Sequence, residues 1–214
     1  MPMTMTGIIG KKIGMTRIFG TNGDIVPVTL LEVENHQVTK ILTPERDGYH
    51  GYQVGYCATK EHRLNKPDLH RLRKAGVEGS FSQFHEFRTT AALDGVSLGT
   101  RLTAQLLEGV AAVDITGFTK GRGFQGAVKR NGAHIGRMSH GSRHHRRPGS
   151  LGCRTTPGRV MKNKPMPGHM GTEQRTTSNL KVVLIDTEAN VIAIKGAVPG
   201  HRGGYVFIEP SIKA

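Results

Sequence analysis

The stretch GFTKGRGFQGAVKRNGAHIGRMSHGSRHHRRPGSLGCRTTPGRVMKNKPMPGHMGTEQR, Gly117 to Arg175, decides how the chain is organised. It holds 13 Lys and Arg against one acid, Glu173, a formal charge of +12 in 59 residues. Only 13 of its residues are apolar, two of them aromatic (Phe118 and Phe124), and 12 are glycine. So little apolar surface cannot offset a backbone ordering cost on the order of 1 to 2 kcal/mol per residue. Alone, the stretch is expected to be largely disordered.

The sequence on both sides reads as β structure. Short apolar runs stand at Gly7–Ile9, Ile25–Val33, Gln37–Leu42 and Tyr49–Cys57, and strand-like residues return at Val113–Thr116. Thr21-Asn22-Gly23-Asp24 and Thr43–Gly48 (TPERDG) supply turns between these runs, so antiparallel hairpins are favoured. After the basic stretch, strand signals resume at Leu180–Ile185, Val191–Ile194 and Tyr205–Ile208, with the acidic turn Asp186–Asn190 between the first two. Many short strands point to a barrel. A basic helix is expected after Pro67, with Leu69 and Leu72 on one side and Gly76 near its end, and a short one at Leu102–Leu107. The basic block is therefore an insertion in a mainly β domain. With half of its residues in each of two arms, at about 3.3 Å per extended residue, it reaches several tens of ångströms.

The whole chain has 214 residues, no Trp, 36% hydrophobic residues and a formal charge of +14. Outside the block, 17 basic residues face 15 acidic ones, so nearly all of the excess sits in one place. A positive field of that size is a statement about polyanionic partners. No run approaches the roughly 18 apolar residues of a spanning helix, and Met1–Thr6 lacks the regions of a signal peptide, so a soluble intracellular protein without a membrane partner is expected. Cys57 and Cys153 form no C-x-x-C pair and are expected to be unreactive thiols in a reducing compartment.

Gly121-Arg122-Gly123-Phe124-Gln125-Gly126 spells the dinucleotide fingerprint G-x-G-x-x-G. That fingerprint requires an acid about 20 residues on to hold a ribose hydroxyl, and the next acid here is Glu173. With Lys120, Arg122, Lys129 and Arg130 around it, the run reads instead as a basic turn that lays backbone amides against phosphates. His140, His144 and His145 alternate with Arg143, Arg146 and Arg147, a crowd of cations that opposes a divalent ion; these imidazoles are expected to meet phosphates or bases. No metal or other cofactor is expected. Arg137, Arg154, Arg159, Lys162 and Lys164 complete the cationic set, and a merely soluble surface would mix its signs. No G-x-S-x-G, H-E-x-x-H, Walker loop or paired carboxylate supports an enzyme. Charge alone fits an rRNA-binding protein and a free nucleic-acid chaperone or DNA-binding protein equally well.

Seven motifs separate these readings. GIIGKKIGMTRIF (Gly7–Phe19), TPERDGY (Thr43–Tyr49), KAGV (Lys74–Val77), VDITGFTKGRGFQG (Val113–Gly126), PGSLGCRTTPG (Pro148–Gly158), MPGHMG (Met166–Gly171) and KGAVPG (Lys195–Gly200) resemble, in this order, the L3 family of bacterial large-subunit ribosomal proteins. The resemblance covers nearly the whole chain. It implies a translation-factor-like β-barrel formed by 1–116 and 176–214, a small α+β insertion at about 60–100, and an rRNA-penetrating extension at 117–175. It further implies a structural, non-enzymatic role in the cytoplasmic ribosome. Members bind 23S-type rRNA near its 3′ end, help nucleate subunit assembly, and support the peptidyl transferase centre through the extension. Their protein neighbours are L fourteen and L nineteen.

Carried onto this chain, the innermost part of the extension lies near Asn131–His145, and Lys11, Lys12 and Arg17 make contacts from the barrel side. Two positions depart from the family. Cys153 stands where some members carry a methylated glutamine, so that modification is not carried over, and Lys129-Arg130-Asn131 stands where relatives have K-R-W, so Asn131 is expected to hydrogen-bond in place of a stacking ring.

Overall fold

The computed structural model describes residues 7–20, 22–91 and 96–213; Met1–Thr6, and Thr21 of the first expected turn, lie outside them. In chain order the first elements are β1 (Ile8–Phe19), β2 (Ile25–Glu32), β3 (His36–Leu42), α1 (Pro44–Asp47), β4 (Gly51–Ala58), α2 (Lys66–Lys74) and β5 (Phe81–Arg88). There follow β6 (Arg101–Leu102), β7 (Ala112–Phe118), β8 (Phe124–Gln125), α3 (Ala127–Asn131), β9 (Gly168–His169), β10 (Gln174–Asp186), β11 (Val191–Lys195) and β12 (Tyr205–Pro210). The protein is mainly β.

Local turn chemistry sets the first pairing. Gly23 takes φ 82°, its N–H donates to Gly20 O at 3.0 Å, and Gly20 N–H donates to Asp24 O at 2.7 Å. β1 and β2 therefore pair antiparallel from Phe19 opposite Ile25 to Lys11 opposite Glu32, with a register shift between Lys12 and Gly14. β1 runs ten residues beyond the Ile9 end expected from sequence. Gly10 looks like a break but is a packing position: a Cβ there would lie 3.0 Å from Ile208 Cδ1 and 3.2 Å from Leu31 Cβ. Its partners on either side are β12 and β2. The sheet order is β1-β12-β7-β10-β11-β2, and the pairing of β2 with β1 closes it on itself.

A second sheet has the order β5-β4-β3-β6. The TPERDG turn that joins β3 to β4 is a single helical turn, α1, ended by Gly48 at φ 83°. β3 and β4 belong here and not with the closed sheet, so the second sheet begins at His36 rather than near residue 60. β5, unmarked in the sequence reading, pairs with β4 from Gly51–Arg88 to Ala58–Phe81. α2 forms where Pro67 predicted it, with Leu72 buried against Val77 and Phe81. At Leu102–Leu107 the expected helix is a two-residue strand followed by a 3-10 turn, Ala104–Leu107.

One cluster of buried side chains joins the two sheets: Ile8, Leu31, Ile115, Ile194 and Ile208 with Val38, Tyr52, Val54 and Phe87. The entry of the chain into β1 is fixed by Tyr52, whose hydroxyl donates to Gly7 O at 2.6 Å and accepts Gly7 N–H at 2.9 Å. Cys57 and Cys153 are both free, the first half-buried and the second exposed.

His36 makes this core sensitive to acid. It is fully buried on β3, and neither ring nitrogen has a hydrogen-bond partner among the described residues. Burial pushes its pKa from 6.5 down to about 4, against the opposing charge of Glu34. The unfolded chain therefore takes up a proton at a pH where the folded one does not. The sign follows: stability is fully present above pH 6.5 and is lost as pH falls toward 4, by about 3 kcal/mol across the window. Denaturant titrations at pH 7 and pH 4.5 check this, with His36→Leu expected to show a shallower pH dependence than the wild type. Equal pH dependence in both would contradict the assignment.

By its internal contacts the chain divides into two units, residues 1–117 with 175–214, and Phe118–Gln174. Both sheets described above lie essentially in the first unit.

Candidate nucleic-acid interface

In the second unit, Phe118–Gln174, Ala127 is the single buried residue. Backbone hydrogen bonds nevertheless tie its outgoing and returning arms. Thr119 N–H donates to Glu173 O at 2.9 Å and Arg122 N–H to Met170 O at 2.9 Å, while Met170 N–H donates to Gly123 O at 3.0 Å. β8 and β9 then pair through Phe124–His169 and Gln125–Gly168. Close approach here requires glycine: a Cβ on Gly171, which has φ 81°, would lie 2.2 Å from Lys120 O. Beyond this paired base the chain turns on His140 (φ 55°), Gly141 (φ 74°) and His145 (φ 25°). Gly136 N–H donates to His145 O at 2.7 Å and Arg147 N–H to His144 O at 2.9 Å.

The G-x-G-x-x-G run is part of this base. β8 pairs antiparallel with β9, and the helix after Gly126 is the five-residue α3, so no βαβ unit is present to hold a dinucleotide.

Every cation expected at the interface is exposed in this unit: Lys120, Arg122, Lys129, Arg130, Arg137, Arg143, Arg146, Arg147, Arg154, Arg159, Lys162 and Lys164. None of them forms an ion pair among the described residues. The side chains of His140, His144 and His145 are likewise exposed. Two members of the set also have work inside the unit. Arg130 Nη1 donates to Met166 O at 2.9 Å and Asn131 Nδ2 donates to the same oxygen at 3.0 Å. Gly168 leaves room for the guanidinium, since a Cβ there would lie 2.6 Å from Arg130 Nη1. The other eleven cations of the unit have no ion pair and no side-chain hydrogen bond among the described residues. Phe124 is a large exposed ring in the same unit, at 76% exposure.

The three residues expected on the barrel side differ among themselves. Lys11 Nζ pairs with Glu34 Oε1, whose other oxygen accepts the Tyr205 hydroxyl at 2.9 Å. The hydrogen bond and charge of Glu34 raise the Lys11 pKa. Burial works to raise that of Glu34, yet the bonds from Lys11 and Tyr205 hold it below the usual carboxylate value. Lys12 Nζ donates to Val198 O at 2.7 Å and Gly200 O at 3.3 Å, holding the KGAVPG loop. Arg17 is exposed on β1. Of these three, Arg17 alone has no ion pair or side-chain hydrogen bond among the described residues.

A family profile described as Ribosomal protein L3 matches residues 57–191. The large ribosomal subunit protein uL3 of Vibrio cholerae serotype O1 is 47% identical over 211 residues, covering 98% of this chain and all of that protein. That of Aliivibrio fischeri is 46% identical over 211 residues, with the same coverage. That of Alkaliphilus metalliredigens is 46% identical over 209 residues, covering 98% of this chain and 99% of the relative.

The chain belongs to the ribosomal protein L3 family.

As a member of the L3 family it is a structural constituent of the large ribosomal subunit and not an enzyme. Its place is the bacterial cytoplasmic ribosome, and its partners are rRNA and other ribosomal proteins. The seven motifs carry the L3 signal in sequence. The internal bonds of Lys11, Lys12, Arg130 and Asn131 could not be read there, because each depends on a carbonyl or carboxylate distant along the chain.

Proposed function

We propose that the unit Phe118–Gln174 is an rRNA-penetrating arm and that the closed β sheet is a translation-factor-like barrel docking on the RNA surface. The observation that supports this most strongly is the set of twelve exposed cations without an internal counter-charge, in a unit with one acid and one buried residue. With Glu173 as its one acid, such a unit cannot neutralise twelve cations by itself, and phosphates would supply the missing charge. The paired base presets the course of the arm, and the outer turns around Asn131–His145 adapt to the RNA.

In this reading the protein binds 23S-type rRNA near its 3′ end and helps nucleate subunit assembly. It supports the peptidyl transferase centre by holding RNA geometry, with no side chain taking part in chemistry. L fourteen and L nineteen are its protein neighbours. Arginines in the arm make forked phosphate contacts, lysines act as point charges, and Phe124 offers a face on which a base stacks. Lys11 and Lys12 act through the protein and Arg17 directly.

Filter binding of the full chain to deproteinised large-subunit rRNA tests this. With on the order of 6 to 10 phosphate contacts, affinity falls about 10³ to 10⁵ between 50 and 200 mM salt. A salt-insensitive affinity would overturn the reading.

A further inference from the structure

The second sheet carries a helix whose outer face is charged and unpartnered. α2 spans nine residues, Lys66–Lys74, and buries Leu72 against Val77 and Phe81. At 100° per residue, positions 66, 70 and 74 fall within about 80° of one another, opposite Leu72, and rise about 6 Å from each to the next. They are Lys66, His70 and Lys74, all exposed and none in an ion pair among the described residues. The two arginines on the flanks are handled differently. Arg71 pairs with Asp68 at 3.3 Å and lies over the Phe84 ring at 4.4 Å, and Arg73 pairs with Glu61 at 3.5 Å. The fold thus neutralises the flanks and leaves the outward row unpaired.

Helix stability does not account for this row. Lys74 in the last turn favours the helix dipole, but Lys66 at the first position opposes it. Nor does the face fit a hydrophobic partner or a bilayer: no large exposed apolar side chain lies between Lys60 and Lys74, where an amphipathic anchor or an interface hot spot requires one. What remains is a row of two lysines flanking a histidine hydrogen-bond donor, spaced like successive phosphates on one strand and extended by the exposed Lys60 and Arg63 just before the helix.

We infer that this face of α2 is a second RNA-docking surface, which lays Lys66, His70 and Lys74 along a phosphate backbone and reads no bases. The inference rests on the rRNA reading above. It adds a contact on the small α+β part that neither the basic arm nor the barrel motifs contain.

The test is filter binding of the full chain and its Lys66→Gln/His70→Gln/Lys74→Gln variant to deproteinised large-subunit rRNA across a salt series. The variant is expected to bind about tenfold more weakly at low salt, with a log–log salt slope shallower by about 2, one unit per lysine. Unchanged affinity and slope in a variant with native circular dichroism would overturn the proposal. Should the variant misfold, acetylation of wild-type Lys66 and Lys74, followed by mass spectrometry, decides the matter. Protection by rRNA supports the docking surface, and equal labelling with and without rRNA overturns it. Loss of binding to phosphatidylglycerol vesicles or to protein-containing subunits, with rRNA binding intact, also overturns it in favour of a membrane or protein partner. An Arg143→Gln/Arg146→Gln/Arg147→Gln variant serves as the reference. If it too binds rRNA as the wild type does, the arm reading fails, independently of the result for α2.

Discussion

A chain in which Phe118–Gln174 is replaced by a short Gly-Ser turn keeps its β structure and loses its place in the large subunit. The junction permits the deletion, because the hydroxyls of Thr116 and Thr176 lie 2.8 Å apart on neighbouring strands and need only a tight connection. The core permits it as well, since every buried residue except Ala127 belongs to the other unit. Circular dichroism and a thermal melt are expected to stay close to those of the full chain. Affinity for large-subunit rRNA is expected to fall by about 10³ or more at 50 mM salt, because the phosphate contacts proposed for the arm are removed together. Loss of the β signal would mean that the two units fold as one. Retained affinity would place the RNA interface elsewhere.

The second large effect is on stability. Phe87→Ala is expected to remove about 3 to 5 kcal/mol, a large part of the 5 to 15 kcal/mol typical of a domain. Phe87 is fully buried, its ring centroid lies 5.5 Å from that of Tyr52 and 4.8 Å from that of His85, and it packs against the bare backbone of Gly7. The cavity would open between the two sheets, where neither can move without breaking its pairing. In urea the midpoint should drop at constant slope, whereas Leu184→Ala, on an exposed strand face, should change stability by less than about 0.5 kcal/mol. A loss below about 1 kcal/mol for Phe87→Ala would contradict the packing described.

Phe87 also shows where sequence reading stops. FSQFHEFR is polar at five of its eight positions, and its strand character comes from pairing with β4 rather than from its own alternation. The Asn22-Gly23 turn was legible because its chemistry is local, and so was α2, announced by Pro67 and closed near Gly76 at φ 67°. Which sheet a hairpin joins is not local. β3 and β4 read correctly as strands, yet their membership in the second sheet is fixed by β5 and β6, remote in sequence. The charge block was legible for the opposite reason: charge and glycine content need no partner to be seen. Which of its members are tied down was not, because Met166 O, the acceptor for both Arg130 and Asn131, lies 35 residues beyond Asn131.

The same distinction explains the two lysines of GKKIGMTRIF. Basic residues in an RNA-binding family look alike in sequence, but Glu34 claims Lys11, and the carbonyls of Val198 and Gly200 claim Lys12. Under the proposed function they would contribute to RNA binding only through the strand and loop they hold.

The arm's role is tested most directly by a density map of the assembled large subunit carrying this protein. The guanidinium and ammonium groups between Lys120 and Lys164 are expected within contact distance of rRNA phosphates, with Asn131–His145 deepest among the nucleotides. An arm lying in solvent, its cations facing water while the β unit alone touches RNA, would contradict that placement.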